Sequence, residues 1–208
     1  MRFIFKTDYT QDIGLAKHKG HVFWYGLLLA LMVLAPLLAP EYWLAQLTFV
    51  LIYAVAGLGL MLVAGFTGQF SIGHAAFLGM GAYSQAILNN LGVPFPLALL
   101  AAAALSAGVG VIIGVPALRV KGIYLGMATL SFGFIVQAVF TRWDSVTGGN
   151  KGMHIKPPDI FGWKLETGEQ FYYLCLLLTT LCTLAILNLL RASTGRAFVA
   201  IRDSEVSA

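Results

Sequence analysis

Phe70-Ser71-Ile72-Gly73-His74-Ala75-Ala76-Phe77-Leu78-Gly79-Met80-Gly81-Ala82-Tyr83-Ser84-Gln85-Ala86-Ile87-Leu88-Asn89-Asn90-Leu91 is the stretch on which the topology turns. It is long enough to cross a bilayer, since about 20 helical residues rising about 1.5 Å each span a hydrocarbon layer of about 30 Å. Its side chains are wrong for facing lipid. Ser71, His74, Ser84, Gln85, Asn89 and Asn90 are polar, and Gly73, Gly79 and Gly81 interrupt the apolar pattern. Such segments sit at membrane depth only where protein or a cavity surrounds them. The reading is a Gly-rich polar span in the interior of a helix bundle.

Five apolar runs of similar length flank it, at 22–40, 42–64, 95–118, 122–140 and 171–190. The 208 residues are 59% apolar and 11% charged, against about 45–50% and about 25% in an ordinary soluble domain. So few charges cannot clothe a soluble core in polar surface. The predicted fold is all-α, a polytopic membrane helix bundle of about six transmembrane helices. Residues 1–21 form a polar leader without a small-residue cleavage pattern, so a retained cytoplasmic segment is expected and not a signal peptide.

Lys and Arg collect in short cytoplasmic segments, which tests the span count. With the N-terminus inside and 70–91 counted, Arg2, Lys6, Lys17, Lys19, Arg119, Lys121, Arg191, Arg196 and Arg202 fall inside. Arg142, Lys151, Lys156 and Lys164 fall in one outer loop, 141–170, beside Asp144, Asp159, Glu166 and Glu169. Omitting 70–91 would move Arg119 and Lys121 outside. Six crossings with both the N-terminus and the C-terminus cytoplasmic are expected, with 22–190 as the membrane domain and 191–208 as an inner segment.

The net charge of +4 is therefore a topological bias, and no cluster of basic and aromatic residues suggests nucleic acid. Cys175 and Cys182 share one apolar run and read as two buried free thiols. No acidic residue lies in any predicted span, which argues against a proton relay and against an intramembrane hydrolase. His74 has no carboxylate or second His nearby and reads as a packing and hydrogen-bonding residue. His18, His21 and His154 form no metal set, and no catalytic residue is expected. No Gly-Lys dipeptide occurs, so a Walker A phosphate loop is absent and ATP-driven work requires a partner.

Small residues four apart, Gly110/Gly114 and Gly122/Gly126, suit close helix packing. Between Gly57 and Gly81 seven glycines occupy 25 positions. Glycine at that density weakens a helix and frees backbone groups. Two readings stay open: a bend beside a solute path, or a turn between tightly packed helices. In 191–205, Thr194 can cap a helix on which Ala197, Phe198 and Ile201 share a face and Arg196 and Arg202 point elsewhere. This amphipathic segment suits either a membrane surface or a groove on a cytoplasmic protein.

These two stretches carry a resemblance. Ala64 to Tyr83 resembles the hallmark of LivM-type permeases of branched-chain amino acid ABC importers, G-x-T/A-G-Q-x-S-x-G-H-A-A-F-x-G-x-G-A-Y. Leu118-Arg119-Val120-Lys121-Gly122-Ile123-Tyr124, Thr129-Leu130-Ser131-Phe132-Gly133 and Thr147-Gly148-Gly149-Asn150-Lys151-Gly152 are similar to further family positions. Gly195-Arg196-Ala197-Phe198-Val199-Ala200-Ile201-Arg202-Asp203 resembles the start of the segment with which such permeases contact their ATPases. In that family this segment continues into further spans, so the resemblance implies a chain truncated after Ala208, with its remainder missing or supplied elsewhere.

The resemblance implies a permease subunit in a bacterial-type inner (plasma) membrane, translocating leucine, isoleucine or valine. A second homologous permease, two ATPase subunits and an extracytoplasmic amino-acid-binding protein would be its partners, with no cofactor of its own and ATP used by the ATPases. It places Gly65, Gly68, Gln69, Ser71, Gly73, His74, Thr129 and Gly133 at the translocation path or bundle interior. It places Gly195, Arg196, Phe198, Ile201, Arg202 and Asp203 at the ATPase. Related permeases for urea, amides or aromatic acids, and a gradient-driven carrier or channel, are the competing expectations.

Overall fold

A backbone in lipid finds no water to satisfy its polar groups, and this chain answers with helices almost throughout. The computed structural model describes residues 19–69, 71–117, 120, 122–160, 162–165 and 167–203. The leader through His18, Phe70, Leu118, Arg119, Lys121, Phe161, Glu166 and residues 204–208 lie outside the described residues.

In chain order the elements are α1 (Lys19–Leu38), α2 (Glu41–Leu60) running into a π-helical turn (Met61–Phe66), α3 (His74–Asn90), α4 (Phe95–Ala117) and α5 (Ile123–Arg142). A short α6 (Asp144–Thr147), a 3₁₀ turn (Gly149–Lys151) and the strands β1 (Asp159–Ile160) and β2 (Trp163–Lys164) follow. The chain then forms α7 (Gly168–Arg191) and α8 (Ser193–Asp203). The strands pair antiparallel, Asp159 opposite Lys164 and Ile160 opposite Trp163.

Among the described residues four helices are long and apolar enough to cross a membrane: Glu41–Phe66, Phe95–Ala117, Ile123–Arg142 and Gly168–Arg191. The six segments expected from sequence are all represented, but two differ from a full span. Side chains of α1 are described from Phe23, leaving the shorter apolar helix Phe23–Leu38. The segment 70–91 is helical only from His74 to Asn90, 17 residues, or about 25 Å. Ser71 to Gly73 is not helix, because it is pinned against α5 as described below.

One half of the molecule is built on α2 packed along α7, with α1 across them. Its core is Leu44, Leu51, Tyr172, Cys175 and Leu176. Pro36 lies inside α1 and has no N–H to give the carbonyl four residues back, that of Met32. The Tyr172 hydroxyl, 1% exposed as a residue, donates to that carbonyl at 2.8 Å. Tyr173 donates to the neighbouring Val33 carbonyl at 3.1 Å. A proline that would leave an orphan acceptor in lipid is thus matched by a tyrosine from another helix. Of the two thiols, Cys175 is buried and Cys182, expected buried, is only half-buried.

The other half packs α3 along α4 and against α5. Phe77 and Phe132 rings lie 5.3 Å apart, and Tyr83 and Phe140 rings 4.5 Å apart. Gly110 admits the Phe77 ring, its absent β-carbon falling 3.5 Å from Cε1. Gly122 does not form a helical pair with Gly126. It precedes α5 at φ 61° and turns the chain into it.

Large apolar side chains face outward on both halves, among them Leu100, Ile112, Phe134, Leu177 and Leu181. That surface suits lipid or other membrane helices. Trp24 near the start of α1, Trp43 near the start of α2 and Trp143 after α5 are exposed, in keeping with aromatic belts at membrane interfaces. At one end of the bundle, Asn89 donates to the Lys156 carbonyl at 2.8 Å. Asn90 donates to that of His154 at 2.9 Å, tying α3 to the 143–167 connection. Lys156 Nζ donates back to the Asn90 carbonyl at 3.1 Å, a cation at the negative end of α3. At the other end α8 lies against the Met61–Phe66 turn.

Candidate functional site

The site grows from the way α2 stops. Met61–Phe66 widens into a π turn, a form that recurs at functional positions. Thr67 and Gln69 carry its bonding onward, their N–H groups donating to the Leu62 and Val63 carbonyls. Gly68 sits at φ +69° and reverses the chain. The next residues dock on α5: Ile72 N–H donates to Thr129 Oγ1 at 3.1 Å, and that hydroxyl donates to the Gly126 carbonyl at 3.0 Å. Gly73 approaches so closely that a β-carbon there would collide with the Thr129 carbonyl oxygen. Gly133 faces it, with Gly73 Cα 3.8 Å from the place of its own absent β-carbon.

His74 opens α3 and reaches back to α2. Its Nε2 lies 3.0 Å from the Ala56 carbonyl oxygen. A carbonyl only accepts, so Nε2 carries the hydrogen of this bond. Gly59 leaves room for the ring, since a β-carbon there would stand 3.2 Å from Cε1 and Nε2.

Between this loop, α3, α4 and α5 lies a cleft of about 390 Å³, within the range of small-molecule sites. Gln69, Ser71, His74 and Thr129, all singled out from sequence, line it. Val63, Phe77, Ile113, Leu125 and Phe132 supply apolar walls. Among the described residues the lining holds no Asp, Glu, Lys or Arg. Uncharged polar groups beside apolar walls can hold a small neutral or zwitterionic solute without trapping it.

Ser106 also lines the cleft, and the sequence reading passed over it. It is the one polar side chain in α4. Its Oγ is buried with no hydrogen-bond partner among the described residues. Other hydroxyls here bond back to their own helix: Thr48 to Leu44, Ser131 to Met127, Thr180 to Leu176 and Thr183 to Thr179. A lone hydroxyl in an apolar run was the available signal.

The remaining path candidates lie beside this cleft. Gly65 is in the π turn, its absent β-carbon 3.6 Å from Met61 Cγ. Gly73 and Gly133 line a second cleft of about 300 Å³ with Phe134 and Gln137. Gly68 faces α8, where a β-carbon would fall 2.8 Å from Arg202 Cγ.

The α7–α8 corner is tight. A β-carbon on buried Gly195 would overlap the Leu190 backbone, and Gly195 N–H donates to the Ala192 carbonyl at 3.2 Å. Thr194, expected to cap α8, instead donates to the Leu189 carbonyl at 3.0 Å and helps close the end of α7. Phe198 and Ile201 are half-buried, whereas Ala197, expected on their face, is exposed. Arg196 and Arg202 are exposed. Asp203 closes the helix, and its side chain lies outside the described residues. Beyond α5, Thr147 donates to the Phe140 carbonyl at 2.6 Å and accepts the Gly149 N–H at 3.3 Å, folding the Thr147–Gly152 motif into a compact turn.

Apolar helices of spanning length around a polar-lined cleft define a polytopic all-α membrane protein. A family model described as "Branched-chain amino acid transport system / permease component" matches residues 42–208. The chain belongs to this permease family. It is 33% identical to the high-affinity branched-chain amino acid transport system permease protein LivM of Salmonella typhimurium, over 86% of this chain and 49% of the relative. It is 34% identical to the protein of the same title from Escherichia coli (strain K12), with the same two coverages. The chain thus spans about half the length of the curated relatives it matches. No solved structure matches it significantly.

Proposed function

We propose that this chain forms the solute-path portion of a permease subunit in an ATP-binding-cassette importer, translocating leucine, isoleucine and valine across the inner (plasma) membrane. The observation that carries the reading is the cleft lined by the polar groups of Gln69, Ser71, His74, Ser106 and Thr129 beside apolar walls. Hydroxyl and amide groups can satisfy the ends of a zwitterion, and Phe77, Ile113 and Phe132 suit an aliphatic side chain. The family supports the substrate class.

The α8 end is cytoplasmic in this reading, as the distribution of Lys and Arg favours. A second homologous permease faces the cleft, two ATPase subunits engage α8, and an extracytoplasmic binding protein delivers solute at the 143–167 end. ATP is hydrolysed by the partners, and the permease converts their closure into alternating access.

The test uses the complete importer in proteoliposomes with internal ATP and external binding protein. The expected result is saturable uptake of labelled leucine that requires ATP and is competed by isoleucine and valine. Uptake of urea or an aromatic acid in its place would overturn the substrate. Leucine uptake that persists without ATP and collapses with an ion gradient would overturn the class.

A further inference from the structure

The two stretches that stand out in the sequence, the glycine loop and the basic tail, touch each other. Arg202 lies against Gly68 through its aliphatic carbons: a β-carbon at residue 68 would stand 2.8 Å from Cγ, 3.6 Å from Cδ and 3.7 Å from Cβ. Gly68 is held at φ +69°, where an L side chain is strained, so space and backbone both call for glycine. From there the chain runs through Gln69 and Ser71, which line the cleft, to Ile72, held on Thr129.

The other end of α8 is fixed as firmly. Gly195 packs on the Leu190 backbone, Thr194 ties to Leu189, and Phe198 and Ile201 are half-buried. Helix α8 is therefore a bracket between the end of α7 and the loop that shapes the cleft. A displacement of α8 reaches the cleft directly at Gly68, as well as along α7.

We propose that the hydrocarbon stem of Arg202 is the contact by which α8 sets the position of the 68–73 loop, making Arg202 a positioning residue for the cleft. Its role in translocation rests on the importer reading above. The contact differs from a role at the ATPase, which the resemblance implies for Arg202 and in which its charge would pair with an acidic residue. Contact through the stem depends on shape, and pairing through the guanidinium depends on charge. Three substitutions separate the two: Arg202→Met keeps a stem without charge, Arg202→Lys keeps both, and Arg202→Ala keeps neither.

The complete importer carries the three variants, and leucine taken up per ATP hydrolysed is measured. Met and Lys stay within about two-fold of the parent, while Ala falls about ten-fold, a typical strength for coupling between sites. If Met falls as far as Ala while Lys is retained, the contact acts by charge and the proposal is wrong. If Ala matches the parent, it is also wrong. Should Ala fail to assemble with its ATPases, the comparison of Met with Lys still decides.

A second readout needs no transport. Gln69→Cys, in a background without Cys175 and Cys182, is labelled by a maleimide, and the rate changes in Arg202→Ala but not in Arg202→Met. An unchanged rate in Arg202→Ala overturns the contact. If the parent importer moves no leucine, the importer reading falls while the labelling pattern still decides whether Arg202 positions the loop.

Discussion

Both halves turn hydroxyl side chains onto their own helices, but in the α3–α4–α5 half one of them also holds a loop. On α7, Thr180 and Thr183 bond to carbonyls of their own helix, which hides them from lipid and leaves the helix regular. On α5, Thr129 donates to Gly126 of its own helix and also accepts from Ile72, a residue 57 positions away in sequence, and on α4 Ser106 has no partner among the described residues. The first pattern makes a strut, with Tyr172 filling its core. The second also holds the non-helical stretch Ser71 to Gly73 against α5. The difference teaches that a hydroxyl in these helices shapes the cleft when it also serves a loop beyond its own helix.

The sharpest way to break the comparison is at the docked loop. Gly73→Ala places a methyl group into the Thr129 carbonyl, and overpacking of this kind costs about 1–3 kcal/mol. The loop must leave α5, so thermal stability in detergent falls and leucine uptake by the complete importer falls with it. Thr129→Val should act in the same direction by removing the acceptor of the exposed Ile72 N–H, at about 0.5–1.5 kcal/mol. Parental stability and uptake in both variants would mean that the loop is not held by this contact.

Tyr172→Phe tests the strut. It removes the donor that serves the Met32 carbonyl beside Pro36. Interhelical hydrogen bonds in membranes contribute about 0.6 kcal/mol on average and up to about 1.7, so the unfolding midpoint should drop by a corresponding few degrees. Uptake per folded molecule should not change, because Tyr172 touches no part of the cleft. A selective loss of uptake at full stability would contradict the division into strut and site.

The helices themselves were legible because apolar runs near 20 residues have few other solutions in lipid. Their ends were less so. The start of α3 at His74, and not at residue 70, depends on Thr129 reaching Ile72 across the fold, which no local pattern encodes. Thr194 looked like a cap by residue type, yet the tight corner at Gly195 turns its hydroxyl back to Leu189. Within the cleft, Gln69, Ser71, His74 and Thr129 were visible as polar residues near glycines or by resemblance, whereas Ser106 sat in a run read as plain span. The contact of Arg202 with Gly68 joins residues 134 positions apart and could be seen only once the chain was folded.

Ser106→Ala asks whether the unpaired hydroxyl belongs to the solute. Since Oγ has no partner among the described residues, its loss should leave stability within about 0.5 kcal/mol of the parent. If it bonds to solute in the cleft, affinity weakens by the worth of a neutral hydrogen bond, about 0.5–1.5 kcal/mol. In initial-rate uptake this appears as a rise of about two- to twelve-fold in the half-saturating concentration. The measurement must cover the permease step, with the binding protein saturated, so that its own selectivity does not mask the change. A fall in stability with no change in affinity would assign Ser106 to packing beside Gly81, whose absent β-carbon lies 3.5 Å away.

The smallest effect belongs to Thr180→Val, and it completes the contrast with Thr129→Val. Thr180 Oγ1 donates to the Leu176 carbonyl at 2.8 Å, an acceptor within the same regular helix. Valine keeps the branched shape and removes a hydroxyl that must otherwise be hidden, so the lost bond and the relieved polar burial offset each other to within about 0.5 kcal/mol. The same chemical change at Thr129 strands the amide of Ile72. Two Thr→Val substitutions in two spanning helices should therefore differ by about 0.5–1 kcal/mol in detergent unfolding. Equal effects at both positions would show that the bond from Ile72 carries no more weight than a hydroxyl bonded to its own helix.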